Sequence, residues 1–212
     1  MQRLNGFGIG RLGRQRPAFF WAALAAQWGN GLNQRLPIPS PRQSVFTIPP
    51  MRDLARGIAE QAEIAAKSFY RLVLVAGPPG SGKTSALNEL QSAKGWSLLN
   101  LNKVLSERLL DLTSKQRRLR TADIVRDLIE EQGNQTVSML DNIGLLFHPA
   151  LQQEPMMALQ RASRNRTVIA AWQGEVTAGK LIYGSPDHPE YRRLEVKDVQ
   201  IVTAAGHGLA GA

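Results

Sequence analysis

Hydrophobic residues after position 50 follow two spacings, one typical of amphipathic helices and one typical of buried strands. Leu54, Ile58, Ala62, Ala65 and Phe69 recur three to four residues apart and predict a helix that begins near Met51. Short apolar runs predict strands at Leu72–Ala76, Ser97–Leu101, Thr136–Leu140, Thr167–Trp172 and Asp198–Thr203. The stretches between them predict helices at Lys83–Ala93, Lys103–Leu112, Ala122–Gln132 and Pro155–Ala162.

This alternation of strands and helices predicts the fold class. A mainly parallel sheet covered by helices on both faces, a three-layer α/β sandwich, is the usual arrangement for such a pattern. Thr121 is the expected N-cap of the third of these helices, and Gly133 follows its expected end. Gly174–Tyr183 is expected to form a hairpin. The predicted domain covers residues 51–203.

The first 50 residues differ from the rest in composition. They contain six prolines, lack sustained periodicity, and are predicted to have little structure. Three explanations are open: a basic tail for nucleic acid or anionic surfaces, a cleaved targeting peptide, or a start codon assigned too early. We favour the last, with Met51 as the true start, because Met51 directly precedes the first patterned helix. Residues 204–212, rich in Gly and Ala, are expected to form a flexible tail.

The formal net charge of +9 is concentrated in this leader. Residues 1–52 hold seven arginines and no acidic residue, whereas residues 53–212 hold 19 basic and 17 acidic residues. The chain has no cysteine, which excludes disulfides and thiolate metal sites and favours the cytoplasm. Its longest apolar run, residues 17–28, is short of the roughly 20 residues that a membrane-spanning helix needs.

The strongest chemical signal is the glycine-rich segment Gly77-Pro78-Pro79-Gly80-Ser81-Gly82-Lys83-Thr84. It fits the Walker A pattern G-x-x-x-x-G-K-[ST], and it lies between a predicted strand and a predicted helix, as a phosphate-binding loop must. Glycines let the backbone N–H groups wrap a polyphosphate, and the start of the next helix adds its positive dipole end. We therefore expect ATP to be bound by residues 77–85, the last of which is Ser85.

Two side chains of this loop have distinct expected roles. Lys83 places its charge between the β- and γ-phosphates, and Thr84 places its hydroxyl on Mg²⁺. Asp141 ends a hydrophobic strand, which is where such proteins hold the Mg²⁺ from the opposite side. A turn or cap residue is the alternative for Asp141. Asn142 follows it, and an amide orients water without accepting its proton, so hydrolysis is expected to be slow or assisted by a partner.

Residues before and after the next strand are further candidates. Arg164 or Arg166 is a candidate arginine finger that reaches a γ-phosphate across a subunit boundary in a homo-oligomer, with a solvated turn as the alternative. Gln173 is a candidate γ-phosphate sensor, and Trp172 is expected to pack in the core. The basic residues around Arg118 and Arg192 are expected to form solvated faces, and the three histidines lack the spacing of metal ligands.

Five short segments follow one another in a distinctive order: residues 70–74 leading into the loop, Leu140-Asp141-Asn142-Ile143, residues 163–168, Ala171-Trp172, and His188-Pro189-Glu190-Tyr191-Arg192-Arg193. This ordered set resembles the BrxF family, the small P-loop proteins of bacterial phage-exclusion (BREX) type 3 systems. The resemblance covers nearly all of residues 52–203, and the first 50 residues have no counterpart in it.

This resemblance implies an AAA-like P-loop NTPase fold and an ATP-binding component of an antiviral defence operon. The implied partners are a large ATPase, a DNA methyltransferase, a helicase and a phosphatase-like protein. The leading hypothesis is an ATP- and Mg²⁺-dependent switch or weak ATPase of that system. A kinase for a small molecule or nucleotide, with residues 114–121 as its lid, is one alternative. A non-hydrolysing module that presents a surface to a partner or DNA is the other.

Overall fold

The computed structural model describes residues 45–48 and 51–204 of the chain. The α-helices in these ranges are α1 (Met51–Ala65), α2 (Lys83–Lys94), α3 (Leu101–Leu109), α4 (Ser114–Glu130) and α5 (Pro155–Ala162). The strands are β1 (Val45–Ile48), β2 (Leu72–Gly77), β3 (Ser97–Asn100), β4 (Val137–Asp141), β5 (Thr167–Thr177), β6 (Lys180–Tyr183), β7 (Arg192–Glu195) and β8 (Gln200–Ala204). No helix in the described ranges is both long and apolar enough to span a bilayer.

Six of the strands pair in parallel in the order β1-β8-β2-β5-β4-β3. Strand β5 is longer than its neighbours, and its second half pairs antiparallel with β6, which in turn pairs with β7. The sheet is thus parallel at its centre, with an antiparallel extension that leaves it from the carboxyl end of β5. The predicted mainly parallel α/β sandwich is confirmed.

The strand β2 is buried on both faces, which is why its sequence is a continuous apolar run rather than an alternating one. Leu72, Leu74 and Ala76 pack into one hydrophobic cluster, with residues of α3, α4 and α5. Val73 and Val75 pack into a second cluster, with residues of α1 and α2. The alternation of β2 side chains between these clusters defines the three layers of the domain.

The strand register brings the chemically important strand ends together. Gly77, the last residue of β2, pairs with Gln173 of β5, and Asp141, the last residue of β4, pairs with Asn100 of β3. Parallel strands that end in register present their carboxyl ends at one edge of the sheet. The loop after β2 and the acid after β4 therefore belong to the same edge.

Several predicted boundaries move for identifiable reasons. The helix α1 has its predicted residues buried as far as Ala65, but it ends there, and Phe69 is 71% exposed. Leu101 begins α3 instead of ending β3, because the Asn100 side chain accepts a hydrogen bond from the Lys103 amide and caps the helix. The hairpin expected around Gly174–Tyr183 is present as β5 and β6.

The predicted cap at Thr121 is wrong. Thr121 lies inside α4, where its hydroxyl donates to the Arg117 carbonyl at 2.6 Å and is buried from solvent. The helix begins eight residues earlier than predicted, with Thr113 as its cap and Gln116 completing a reciprocal capping box. Residues 114–121 are thus the first two turns of a helix rather than a separate segment.

Strand β1 was not predicted. Val45–Ile48 pairs in parallel with Ile201–Ala204 at the edge of the sheet, so a domain that starts at Met51 leaves out one strand. Apart from these four residues, the predicted low-structure leader lies outside the described residues, as does the tail beyond Ala204.

Arg166 lies at the amino end of β5 and is tied into the fold. Its guanidinium donates to the Ile129 carbonyl at 2.6 Å, to the Gly133 carbonyl, and to the Ser138 hydroxyl at 3.4 Å. It therefore adds a charged donor to carbonyls at and just beyond the end of α4, where the Ile129 carbonyl also accepts a long bond of 3.3 Å from the Gln132 amide. Arg164, two residues earlier, lies instead over the ring of the exposed Phe69, 5.5 Å from its centroid.

These two arginines should differ in their effect on stability. Arg166→Ala should lower the free energy of unfolding by about 2 kcal/mol, because it removes a charged donor from partly buried carbonyls. Arg164→Ala, the matched control, should cost less than about 1 kcal/mol, since it removes only an exposed cation–π contact. Urea unfolding of both variants measures the difference, and equal losses would contradict the helix-end role of Arg166.

Candidate functional site

The segment between β2 and α2 has the backbone of a phosphate-binding loop. Gly80 and Gly82 have φ values of 76° and 84°, in the left-handed region that other residues rarely adopt. Gly77 is needed for a different reason, because a Cβ there would lie 2.6 Å from the Ser81 hydroxyl and 2.8 Å from the Ala204 carbonyl oxygen. The loop ends at the first turn of α2, so unpaired N–H groups and the helix dipole converge on it.

Lys83 is folded back over the loop that precedes it. Its ammonium donates to the Gly77 carbonyl at 2.6 Å, the Pro78 carbonyl at 2.7 Å and the Ser81 hydroxyl at 3.0 Å. Burial lowers the pKa of Lys83, and the nearby Asp141 carboxylate opposes that shift. A phosphate oxygen is a stronger acceptor for an ammonium than a neutral carbonyl, so these three bonds are exchangeable for phosphate contacts.

Thr84 and Asp141 meet across the edge of the sheet. The Thr84 hydroxyl donates to Asp141 Oδ2 at 2.9 Å, although 57 residues separate the two in sequence. The other oxygen of Asp141 accepts from the Asn142 amide at 2.9 Å. A hydroxyl that donates its one hydrogen to a carboxylate has both lone pairs left for a cation. This pair fits the donor set of Mg²⁺, which takes few protein ligands beside phosphate oxygens and water.

The described residues hold no group of three or more His, Asp or Glu side chains that could bind a metal ion on their own. A cation at Thr84 and Asp141 therefore needs further oxygens from elsewhere. A polyphosphate in the loop would supply them, and this is how Mg²⁺ is usually held beside nucleotides.

Asn142 sits in a backbone conformation that suits an asparagine. Its φ is 51°, in the left-handed region where Asn is tolerated far better than most residues. Its carbonyl accepts from the Asn102 amide at 2.9 Å, and the Asn102 side chain accepts from the Leu145 amide at 2.7 Å. Asn102 thus fixes the turn that follows the Asp141 carboxylate.

These groups line one cavity of about 360 Å³ at the carboxyl edge of the sheet. Its walls include most of the predicted binding loop, together with Asp141 and Asn142. Gln173, exposed at the edge of β5, lines it as well. The cavity size falls in the range of small-molecule sites. The predicted loop, metal and sensor residues are therefore brought together in space.

The two predicted arginine fingers are not part of this cavity. Arg164 and Arg166 precede β5 and so lie at the amino edge of the sheet, opposite the loop. The Arg166 guanidinium is hydrogen-bonded to carbonyls at the end of α4, so it is not available to act as an arginine finger. For Arg164, which is exposed, contact with a neighbouring copy stays a prediction. Trp172 is fully buried, and its indole donates to the Ile182 carbonyl at 3.2 Å, as a packing residue should.

Sequence reasoning missed three residues of the site. Asn102 and Gly144 line the cavity, and the Tyr183 hydroxyl lies only 3.2 Å from the position a Cβ would take at Gly144. Asn102 belongs to no recognisable sequence motif. It lines the cavity because α3 begins at Leu101, one residue before it. Tyr183 arrives through the hairpin register, which pairs it with Gly174.

The strand order, the left-handed glycines and the Lys83–Thr84–Asp141 arrangement together define a domain with the P-loop NTPase fold. Strand β5 lies between the loop strand β2 and the acid-bearing strand β4. No family profile and no curated protein sequence matches the chain.

Solved structures do resemble it. C. elegans PCH-2 aligns at 18% identity and a TM-score of 0.40, over 74% of this chain and 43% of that one. Domain III of the Thermotoga maritima replication initiation protein DnaA aligns at 13% identity and a TM-score of 0.43, over 76% of this chain and 65% of that one. DnaA from Aquifex aeolicus, bound to AMPPCP, aligns at 15% identity and a TM-score of 0.35, over 62% and 42%. The chain thus spans less than two thirds of each of these structures.

Thr84→Val tests the metal role of the hydroxyl. The replacement keeps the shape of the side chain, so ATP should still bind in EDTA, but the gain in affinity that Mg²⁺ provides should fall by roughly 10- to 100-fold. Calorimetric titration with and without Mg²⁺ measures this gain. Thr136→Val, at an exposed threonine before β4, is the matched control. A Mg²⁺ effect of wild-type size in Thr84→Val would exclude the hydroxyl as a ligand.

Proposed function

We propose that this protein binds ATP with Mg²⁺ and acts as a nucleotide-dependent switch, with weak ATPase activity, in a bacterial phage-exclusion system of the cytoplasm. The observation that carries the nucleotide part is the Thr84–Asp141 hydrogen bond of 2.9 Å at the mouth of the loop. This bond brings Thr84 of the loop next to Asp141 of β4, so that one Mg²⁺ ion beside the phosphates would be close to both. The phage-exclusion part is supported by the resemblance to the BrxF family.

Binding of ATP would change the protein first at Lys83. The three bonds that its ammonium makes to the loop would be exchanged for contacts with the β- and γ-phosphates. The carbonyls of Gly77 and Pro78 would lose a donor, and Ser81 would be free to turn its hydroxyl. The loop would therefore have a second hydrogen-bonding state in addition to the one observed, which is what a nucleotide switch requires.

The hydrogen bonds around Asp141 would transmit the binding of nucleotide and cation to neighbouring elements of the fold. Its Oδ1 is bonded to the Asn142 amide, and the Asn142 carbonyl is bonded to the start of α3 through Asn102. A shift of Asp141 toward a cation would thus pull on both the β4 turn and α3. Gln173, the last residue of β5 that pairs with β2, would report the γ-phosphate to the β5–β6 hairpin, which begins at Gly174.

Slow turnover favours a switch over a motor. Asn142 stands where a carboxylate would accept the proton of an attacking water, and its amide cannot do so at neutral pH. An ATP-bound state would therefore persist long enough to be read by partner proteins. The large ATPase, methyltransferase, helicase and phosphatase-like protein implied by the family resemblance, DNA, and a second copy of the chain are the candidate readers.

The structure removes the main support for a kinase. Residues 114–121, the candidate lid, form the start of α4. Arg117 in that stretch is bonded to the Leu109 carbonyl at 2.9 Å and the Leu110 carbonyl at 3.0 Å, which holds it against α3. A helix that is held against α3 in this way does not match a lid, which must close over an acceptor.

Lys83→Ala tests nucleotide binding. Removing a charged donor should weaken the binding of a fluorescent ATP analogue by roughly 10- to 100-fold. Lys94→Ala, an exposed lysine at the far end of the same helix, is the matched control and should bind like wild type. Equal affinities of Lys83→Ala and wild type in a fluorescence titration would count against the loop as the site.

A plating assay tests the defence role. A bacterial strain that carries the complete gene cluster around this protein should restrict phage, and the same cluster with Lys83→Ala should lose that restriction by orders of magnitude in plating efficiency. The Lys94→Ala cluster should still protect. Full protection by the Lys83→Ala cluster, at equal protein levels, would contradict a nucleotide-dependent role in defence.

A further inference from the structure

A second, smaller cleft adjoins the nucleotide cavity. It has a volume of about 270 Å³ and is lined by Gln173, Tyr183, Gly184, Ser185, His188 and Glu190. Gln173 belongs to both cavities, so its side chain stands between them. The second cleft therefore opens on the side of the loop where the sensor position predicts the γ-phosphate.

Tyr183 lines the second cleft close to this boundary and is packed between other aromatic rings. Its ring stacks on Phe147 with centroids 3.5 Å apart and planes within 2°, and Trp172 packs edge-on against both rings. Its hydroxyl reaches toward Gly144, a wall of the nucleotide cavity. Burial raises the pKa of Tyr183, and the Glu190 carboxylate raises it further, which places that carboxylate within electrostatic reach of the hydroxyl.

Glu190 is positioned by a compact turn between β6 and β7. The His188 amide donates to the Ser185 carbonyl at 2.9 Å, and the Tyr191 amide donates to the His188 carbonyl at 2.9 Å. The Glu190 amide itself donates to His188 Nδ1 at 3.2 Å, which occupies the nitrogen that would otherwise serve as a base. The turn fixes the backbone at Glu190 while the side chain stays partly buried in the cleft.

The Glu190 carboxylate has no hydrogen-bond or ion-pair partner in the part of the chain that the structure describes. Among the residues that the structure describes, no ion pair and no side-chain hydrogen bond engages its oxygens, although Arg192 is two residues away and instead donates to the Tyr191 carbonyl at 2.8 Å. A carboxylate that faces a cleft without such a partner can accept a hydrogen bond from a ligand or a water there.

The nucleotide cavity, as far as the structure describes it, lacks a carboxylate that could accept a proton from water, and Glu190 has one. Hydrolysis needs a group that takes a proton from the attacking water, and the amides of Asn142 and Gln173 cannot do so. Asp141 is the only carboxylate in the nucleotide cavity among the described residues, and it is committed to Thr84 and the Asn142 amide. Glu190 is the carboxylate of the adjoining cleft, beyond Gln173.

We propose that Glu190 is the general base for ATP hydrolysis, acting on a water that Gln173 and Tyr183 orient between the two cavities. The water oxygen forms a bond to the γ-phosphorus as the bond from that phosphorus to the β–γ bridging oxygen breaks. The water proton passes to the Glu190 carboxylate and then to solvent, and ADP and phosphate leave. The inference rests on the proposed ATP site and assigns the residue that supports its weak hydrolysis, since the amide of Asn142 cannot accept the proton.

Glu190→Gln is the direct test, because it keeps the shape of the side chain and removes its basicity. Single-turnover phosphate release from ATP should fall by roughly 100-fold or more, within the usual range for a lost general base. Equilibrium affinity for ATP should stay within about twofold of wild type. Glu175→Gln, at an exposed glutamate of the same hairpin, is the matched control and should leave both quantities unchanged.

Chemical rescue separates a base from a structural residue. In Glu190→Ala, formate should restore part of the rate, and chloride at equal ionic strength should not. Phosphate release by Glu190→Gln within twofold of wild type would overturn the inference. Wild-type protein that binds ATP but hydrolyses it no faster than Lys83→Ala would also overturn it and leave the ATP switch standing. Wild-type protein that binds no ATP would overturn the proposed function and the inference with it.

Discussion

The parallel register of β2, β4 and β5 is the constraint on which the site depends. Because β2 ends at Gly77 opposite Gln173, and β4 ends at Asp141, the loop, the acid and the amide occupy one edge of the sheet. The register is held by side chains buried on both faces, and a slip of one residue would exchange the two core clusters. The core thus sets the distance between Thr84 and Asp141, which neither residue could set locally.

This arrangement leaves the loop strongly hydrogen-bonded within the protein. Lys83 donates to two carbonyls and a hydroxyl, and Thr84 donates to a carboxylate, so these side chains are paired. In the proposed function a triphosphate with Mg²⁺ would compete for these same groups, and its higher charge density is the reason it would win. The cost of rearranging the loop is what couples nucleotide binding to β4, α3 and the hairpin in the proposed switch.

Local patterns predicted the loop, the acid at the end of β4 and the order of the elements other than β1 and β7, because each depends on residues close together in sequence. Glycines in left-handed backbone and apolar runs buried on both faces can be recognised from the local sequence.

Contacts between residues far apart in sequence cannot be recognised in this way. Nothing near Arg166 shows that it will reach the end of α4, and nothing near Phe69 shows that its helix stops at Ala65. The cap at Thr113 is recognisable from Gln116 three residues later, but the prediction placed residues 113–121 between two helices. The adjoining cleft depends on the β5–β6 register and could be found only in three dimensions.

Hydrogen–deuterium exchange with and without Mg²⁺ and ATP tests the central claim, that residues 77–85 bind the triphosphate. The loop amides and those of the first turn of α2 should become protected on addition of nucleotide, because phosphate oxygens accept from them. The segment after Asp141 should respond with them, while α5 and the amino ends of the strands should not change. Protection that spares residues 77–85, or that appears only elsewhere in the chain, would contradict the assignment of the site.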